Sequence, residues 1–184
     1  MPSRSRSTKR PSSATVHVQV SQAAGAGGRA YAVRRSPIHG RGVFATRTIA
    51  RGEDIVEYRG RRISMEVADT MPDSDPDNPY HTFLFELNDG RVIDAGVRGN
   101  AARWINHSCA PNCVPYEDDR GRVMIAARRT IRAGEELAYD YRLNVEGRRT
   151  KKLLAAYRCR CGAPRCRGSM LGPAEPAGGR RRPR

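Results

Sequence analysis

Short apolar runs, not long periodic ones, mark this chain. Val16, Val18 and Val20 alternate with polar residues and allow a short edge strand. From Tyr31 onward the pattern is strand-like, with apolar runs at 42–45, 54–58, 82–87, 91–94, 122–127 and 136–139. Glycine, aspartate or asparagine turns separate most of them, as at Asn88-Asp89-Gly90. The pattern predicts a mainly β domain. Two short helical pieces are expected inside it, at 64–69 behind an Ser64 N-cap and at 100–105. An internal echo links Thr48-Ile49-Ala50-Arg51-Gly52-Glu53-Asp54-Ile55 with Thr130-Ile131-Arg132-Ala133-Gly134-Glu135-Glu136-Leu137. Two copies are too few for a solenoid, so they read as similar β units within one domain.

Composition narrows the picture. A chain of 184 residues holds one ordinary domain with tails. Its 38% hydrophobic content is low for a packed globule, so part of it is expected to lie outside the core. The net charge of +15 is uneven. Residues 1–51 carry ten basic and no acidic side chains, residues 52–146 carry 12 and 18, and residues 147–184 carry 12 and one. Only Lys9, Lys151 and Lys152 are lysines; the other basic residues are arginines. Basic ends suit contact with DNA or another polyanion, and equally suit solubility tails. The expected divisions are a basic disordered tail at 1–29, a β domain at 30–146, a metal-binding segment at 147–171 and a second basic tail at 172–184. No apolar run is long enough to span a membrane, and Met1–Ser13 lacks the apolar stretch of a secretory signal. The expectation is an intracellular protein without a membrane partner. It would lie in the cytoplasm or nucleoid if bacterial, and in the nucleus, on chromosomes, if eukaryotic.

Candidate chemistry begins with the cysteines. Five of them, in this context, argue against a disulfide framework. Cys159, Cys161 and Cys166 lie close enough to face one zinc ion, and Cys109 or Cys113 can supply the fourth tetrahedral ligand. Cys109 sits in Asn106-His107-Ser108-Cys109-Ala110-Pro111-Asn112, a polar stretch with no G-x-S-x-G elbow beside it to suggest a serine hydrolase. Gly40 and Gly42 flank Arg41 and let the backbone approach a ligand, but they do not make the dinucleotide pattern. Tyr139 and Tyr141 would share one face of a strand.

The order of these signals is more specific than any one of them. Gly40-Arg41-Gly42, Glu57-Tyr58-Arg59-Gly60, Ile93-Asp94-Ala95, the run from Gly99 to Asn112, Glu136 to Tyr141 and then the cysteine cluster follow one another. This succession resembles the SET-domain protein lysine methyltransferases with their post-SET zinc segment, over Tyr31 to Leu171. The resemblance implies a mainly β SET fold of small β-clip-like sheets with short helices. In it the Asn-His segment and the tyrosine-bearing segment thread together as a pseudoknot, and a zinc-binding post-SET segment follows. It implies transfer of a methyl group from S-adenosylmethionine to protein lysines, and the acidic middle of the chain points to a histone or histone-like basic protein as the substrate. Arg41, Gly42, Arg103, Asn106, His107 and Tyr141 would hold the cofactor, with Met170 or Leu171 covering its adenine. Cys109, Cys159, Cys161 and Cys166 would bind structural zinc. Tyr141 would be the catalytic tyrosine, and Tyr58, Phe85 and Tyr139 would line the lysine channel. Tyr139 stands at the family's Tyr/Phe switch position, which favours low methylation states. Acidic residues at Asp69, Asp73, Asp75 and Asp77, with Glu117, Asp118 and Asp119, would attract a basic substrate. Two departures concern the substrate: no cysteine-rich pre-SET segment precedes Tyr31, and residues 69–80 are unusually rich in Asp and Pro. Rival readings are a catalytically silent SET module that binds chromatin or nucleoid partners, and a zinc-stabilised nucleic-acid-binding protein.

Overall fold

The computed structural model describes residues 28–72, 82–145 and 148–173. The two basic tails lie outside the described residues except at 28–29 and 172–173, as do Asp73, Asp75 and Asp77.

The described chain is mainly β, in three small sheets. One has the order β1 (Tyr31–Arg35), β2 (Arg41–Ala45), β10 (Glu136–Tyr139), β7 (Asn106–His107). The second is β3 (Asp54–Glu57), β9 (Val123–Ala127), β8 (Cys113–Glu117). The third is β4 (Arg61–Ser64), β6 (Arg91–Asp94), β5 (Leu84–Glu86). The expected helix behind Ser64 is α1 (Met65–Asp69), whose cap accepts the Val67 N–H. The second expected helix is a 3-10 turn at Ala101–Trp104, capped by Asn100 accepting from Ala102 N–H. A further helix, α2 (Lys151–Ala156), starts behind Thr150 and was not expected.

The internal echo is larger than its sequence suggests. Shifting β1, β2 and β3 by 82 positions gives the bounds of β8, β9 and β10. Hydrogen bonds repeat with the same shift. Ser36 N–H donates to Gly40 O at 2.9 Å, and Asp118 N–H to Arg122 O at 2.9 Å. Ala45 N–H donates to Glu135 O at 2.9 Å, and Ala127 N–H to Glu53 O at 2.9 Å. The third strand of each copy pairs with the second strand of the other: β10 with β2, and β3 with β9. Between the second and third strands each copy has the same loop, Arg47-Thr48-Ile49-Ala50-Arg51-Gly52-Glu53 and Arg129-Thr130-Ile131-Arg132-Ala133-Gly134-Glu135. Each loop closes through its own Arg–Glu pair, at 2.6 Å and 2.7 Å, and turns at a left-handed glycine.

The two loops meet where Ile49 and Ile131 exchange backbone hydrogen bonds, both side chains fully buried. Burying an isoleucine contributes about 1.5–3 kcal/mol. A surface ion pair contributes about 0–1 kcal/mol, and Arg47 and Arg129 are both substantially exposed. The apolar packing therefore joins the copies, and the ion pairs shape the turns. Val43, Ile105, Val123, Ile125 and Leu137 extend the same core.

β10 is the strand that organises the site. It pairs with β2 on one side and runs parallel to β7 on the other, Ala138 opposite Asn106 and Tyr139 opposite His107. The buried Asn112 amide completes the ladder as a strand backbone would: its oxygen accepts Ala138 N–H at 2.8 Å and its Nδ2 donates to Glu136 O at 2.8 Å. The Asn106–Asn112 segment thus clasps the tyrosine-bearing strand, which is the pairing that the expected pseudoknot needs.

Candidate active site

A cleft of about 840 Å³ opens beside β10. One wall is a chain of aromatic rings. Tyr58 lies 5.3 Å from Phe85, Phe85 6.5 Å from Tyr139, Tyr139 4.9 Å from Tyr141, and Tyr141 5.4 Å from His107, centroid to centroid. The three residues expected to line a lysine channel, Tyr58, Phe85 and Tyr139, are therefore brought together with the expected catalytic residue, Tyr141. Burial raises the pKa of the Tyr58, Tyr139 and Tyr141 hydroxyls, so all three stay neutral near pH 7. Tyr58 donates to Phe83 O at 3.0 Å, and Tyr141 to Ile105 O at 2.7 Å. With its proton engaged, the Tyr141 oxygen has only lone pairs left to offer a ligand. The Tyr139 hydroxyl has no hydrogen-bond partner among the described residues.

Beyond Tyr141 the cleft is walled by Ile38–Arg41, Arg103, Trp104, Asn106 and His107. Asn106 Nδ2 donates to Arg41 O at 2.9 Å and to Glu136 Oε1 at 2.8 Å, with His39 O at 3.3 Å. Ser36 Oγ donates to the same carboxylate at 2.8 Å. Ser36, Asn106 and Glu136 thus pin the 36–41 loop against β10. His107 is buried, and its Nδ1 accepts Tyr141 N–H at 3.1 Å. Burial lowers its pKa to about 4, so the ring is neutral and its proton sits on Nε2, facing Cys109 Sγ at 3.5 Å. Asp140 Oδ1 stands 3.5 Å from Nδ1, but a neutral ring makes no ion pair with it. Arg103 donates from Nη1 to Ala95 O at 3.1 Å and stacks over Trp104, while its buried Nε has no partner among the described residues.

The cysteines gather as expected. The sulfurs of Cys109, Cys159, Cys161 and Cys166 all lie within 4.8 Å of one another. Cys109 Sγ is 3.7 Å from Cys159 Sγ and 3.8 Å from Cys166 Sγ. Four thiolates about 2.3 Å from a tetrahedral zinc are about 3.8 Å apart, so the set fits that ion. Backbone N–H groups of Cys161, Cys109 and Gly168 point at three of the sulfurs, each at 3.4 Å, which favours the thiolate form. Cys113, the other candidate ligand, is buried on β8 and is not in the set.

Two expected residues sit elsewhere. Leu171 is buried at 1% exposure and bridges Leu143, while its neighbour Met170 takes the cleft wall. Gly42 is buried behind the wall, where a Cβ would lie 2.3 Å from Glu136 Oε1. Among the acidic residues, Asp69 lines the cleft, but Asp118 is held by Arg122 and Glu117 accepts Asn88 N–H. Ser36, Glu136 and the cleft-lining Glu86 were not singled out by the sequence. The position of Glu136 in the repeated unit was legible, but its use was not. Finally, Arg167 grips Asp140 with both guanidinium nitrogens, at 2.8 and 2.5 Å, tying the cysteine segment to the residue between the two tyrosines. Burial opposes ionisation of Asp140, but the bonds and charge of Arg167 outweigh it and lower its pKa.

A mainly β scaffold of small sheets, a tyrosine-walled cleft and a four-cysteine cluster after it together define a class of domain. The sequence model for that class, the SET domain, matches residues 40–142, and the chain belongs to the SET-domain family. Among curated proteins it is 41% identical over 141 residues to Histone-lysine N-methyltransferase 2B of Homo sapiens, covering 75% of this chain and 5% of that protein. It is 42% identical over 139 residues to Histone-lysine N-methyltransferase trr of Drosophila melanogaster, covering 74% and 6%. It is 41% identical over 140 residues to a Saccharomyces cerevisiae protein, "Histone-lysine N-methyltransferase, H3 lysine-4 specific", covering 74% and 13%. The chain thus spans a small part of the length of these relatives. Among the described residues no helix is long and apolar enough to cross a membrane.

Proposed function

We propose that this protein transfers the methyl group of S-adenosylmethionine to lysine side chains of a histone or another basic protein. The observation that carries this is the position of the Tyr141 ring. It packs against Tyr139 of the aromatic wall on one side and His107 on the other, so its ring stands between the two parts of the cleft lining. The methyl donor, when bound, supplies an electrophilic sulfonium methyl. The residues present fit it: Met170 offers apolar cover, Arg103 keeps an unpartnered donor, and Tyr141 presents lone pairs to a positive methyl.

The chain's own residues do the rest. A lysine must be neutral to attack, and its free pKa is about 10.4. Tyr58, Phe85 and Tyr139 exclude water from the side chain and disfavour the ammonium. Tyr141 and the Ile105 carbonyl hold oxygen atoms at the point of transfer. Positioning of this kind is worth up to about 7–11 kcal/mol. The Tyr139 hydroxyl, without a partner among the described residues, takes up space and offers a hydrogen bond inside the channel, which favours products with few methyl groups. Zinc held by Cys109, Cys159, Cys161 and Cys166 keeps the last segment folded beside the cleft. Asp69 and Glu86 give the channel side an acidic wall suited to a basic substrate. The same relatives favour a site of action on chromatin.

The test is transfer of labelled methyl to histones and to bacterial nucleoid proteins, with Tyr141→Phe as control. Label on a lysine, falling about 10²–10³-fold in a folded Tyr141→Phe protein, is the expected result. Absence of label with donor bound would leave the silent module; absence of donor binding would remove the reading altogether.

A further inference from the structure

The cleft has walls of opposite charge. Asp69 and Glu86 line the cleft from α1 and β5, Glu86 following Phe85 in the chain. Arg41, Arg142, Arg158 and Arg160 line the walls from β2 and from the chain after β10. Lys151 and Lys152 precede the cleft-lining Ala155 and Ala156 by four residues, so they share a helix face with them. All six basic residues are exposed. Arg41, Lys151, Lys152, Arg158 and Arg160 have no carboxylate partner among the described residues. Arg142 reaches Asp140 at 3.4 Å, but Arg167 already holds that carboxylate. Residues 148–173 contain eight basic residues and no acidic one.

Scattered surface charges need no explanation. Here six like charges frame one concavity, where low-dielectric walls concentrate their field. We propose that this rim is a docking surface for the phosphate backbone of duplex DNA. Four of its six members are arginines, whose planar forks match phosphate oxygens two at a time. A membrane surface would call for an apolar anchor among the charges, and α2 exposes only Leu154 as a large apolar side chain. The consequence for catalysis rests on the methyl-transfer reading above. A lysine-bearing protein carried on DNA would meet the acidic wall with its own basic segment and the basic rim with its DNA.

The test uses the full chain and a fluorescent duplex, read by anisotropy over a range of salt with no methyl donor. Replacing Lys151, Lys152, Arg158 and Arg160 by Gln should weaken binding at least about tenfold at fixed salt. The slope of log affinity against log salt should flatten by about 0.9 for each phosphate that the variant no longer neutralises. Unchanged affinity and slope would assign any DNA binding to other arginines and overturn the proposal. So would binding to phosphatidylserine vesicles in preference to the duplex. The milder K151Q/K152Q variant tests the consequence. Its KM should rise for a DNA-bound protein substrate and stay unchanged for the free peptide; an equal rise for both would remove the link to catalysis. If the wild-type chain transfers no methyl group at all, the enzymatic reading fails while the anisotropy result stands.

Discussion

At residue 42 a single methyl group decides whether a polar lock can close. The Gly42 hydrogen faces the Glu136 carboxylate that Ser36 and Asn106 share, and a Cβ there would stand 2.3 Å from Oε1. Gly42→Ala is expected to push that carboxylate away and cost about 1–3 kcal/mol, read as a lower Tm. The 36–41 loop loosens with it, so methyl-donor affinity falls in the same variant. Tyr139 tests the opposite case. Its hydroxyl has no partner among the described residues, so Tyr139→Phe should leave Tm nearly unchanged. Mass spectrometry of a methylated peptide should show the product shifting to higher methylation states; an unchanged product would refute the role given to that hydroxyl. The tyrosines, Asn106 and His107 were legible because their order along the chain is distinctive. Ser36 and Glu136 were not, because their meeting across 100 positions depends on which strands pair.

At the scale of elements, the matched loops Arg47–Glu53 and Arg129–Glu135 carry a pH signature. Hydrogen bonds from Arg47 and Arg129 are the chief reason that Glu53 and Glu135 have pKa values below the ordinary 4.5. A carboxylate whose pKa is lowered by folding stabilises the fold above its unfolded value, and that stability disappears as pH falls. Tm should therefore decline as pH drops below about 4.5, and the double variant Glu53→Gln, Glu135→Gln should decline less steeply. Equal slopes would show that the other carboxylates set the acid limit. Strands β2, β9 and β10 were legible as short apolar runs, and each buries most of its residues. β4 was hidden because Arg61-Arg62-Ile63-Ser64 buries no residue fully, and β8 because Pro115 interrupts it, a residue tolerated there at the sheet edge. α2 buries no residue, so it has no apolar stripe; the Thr150 cap ahead of Lys, Leu and Ala was its one sequence signal.

At the scale of the whole molecule, the cysteine cluster and the Asp140–Arg167 pair join the last described segment to the sheets. One equivalent of zinc per chain is expected by elemental analysis. Chelation, or Cys159→Ser, should abolish hydrogen-exchange protection over 157–171 and leave that of β2, β9 and β10 in place. Loss of protection throughout would make the metal a condition of the entire fold. The repeated unit has a different consequence. Each copy lends its third strand to the other, so neither is a finished object, and together they form a closed frame. The described residues between Arg59 and Gly99, including α1, β5 and the acidic wall, are cargo hung on that frame. Such cargo can be lengthened, shortened or exchanged for new clients while the clasp around β10 keeps the same chemistry in reach.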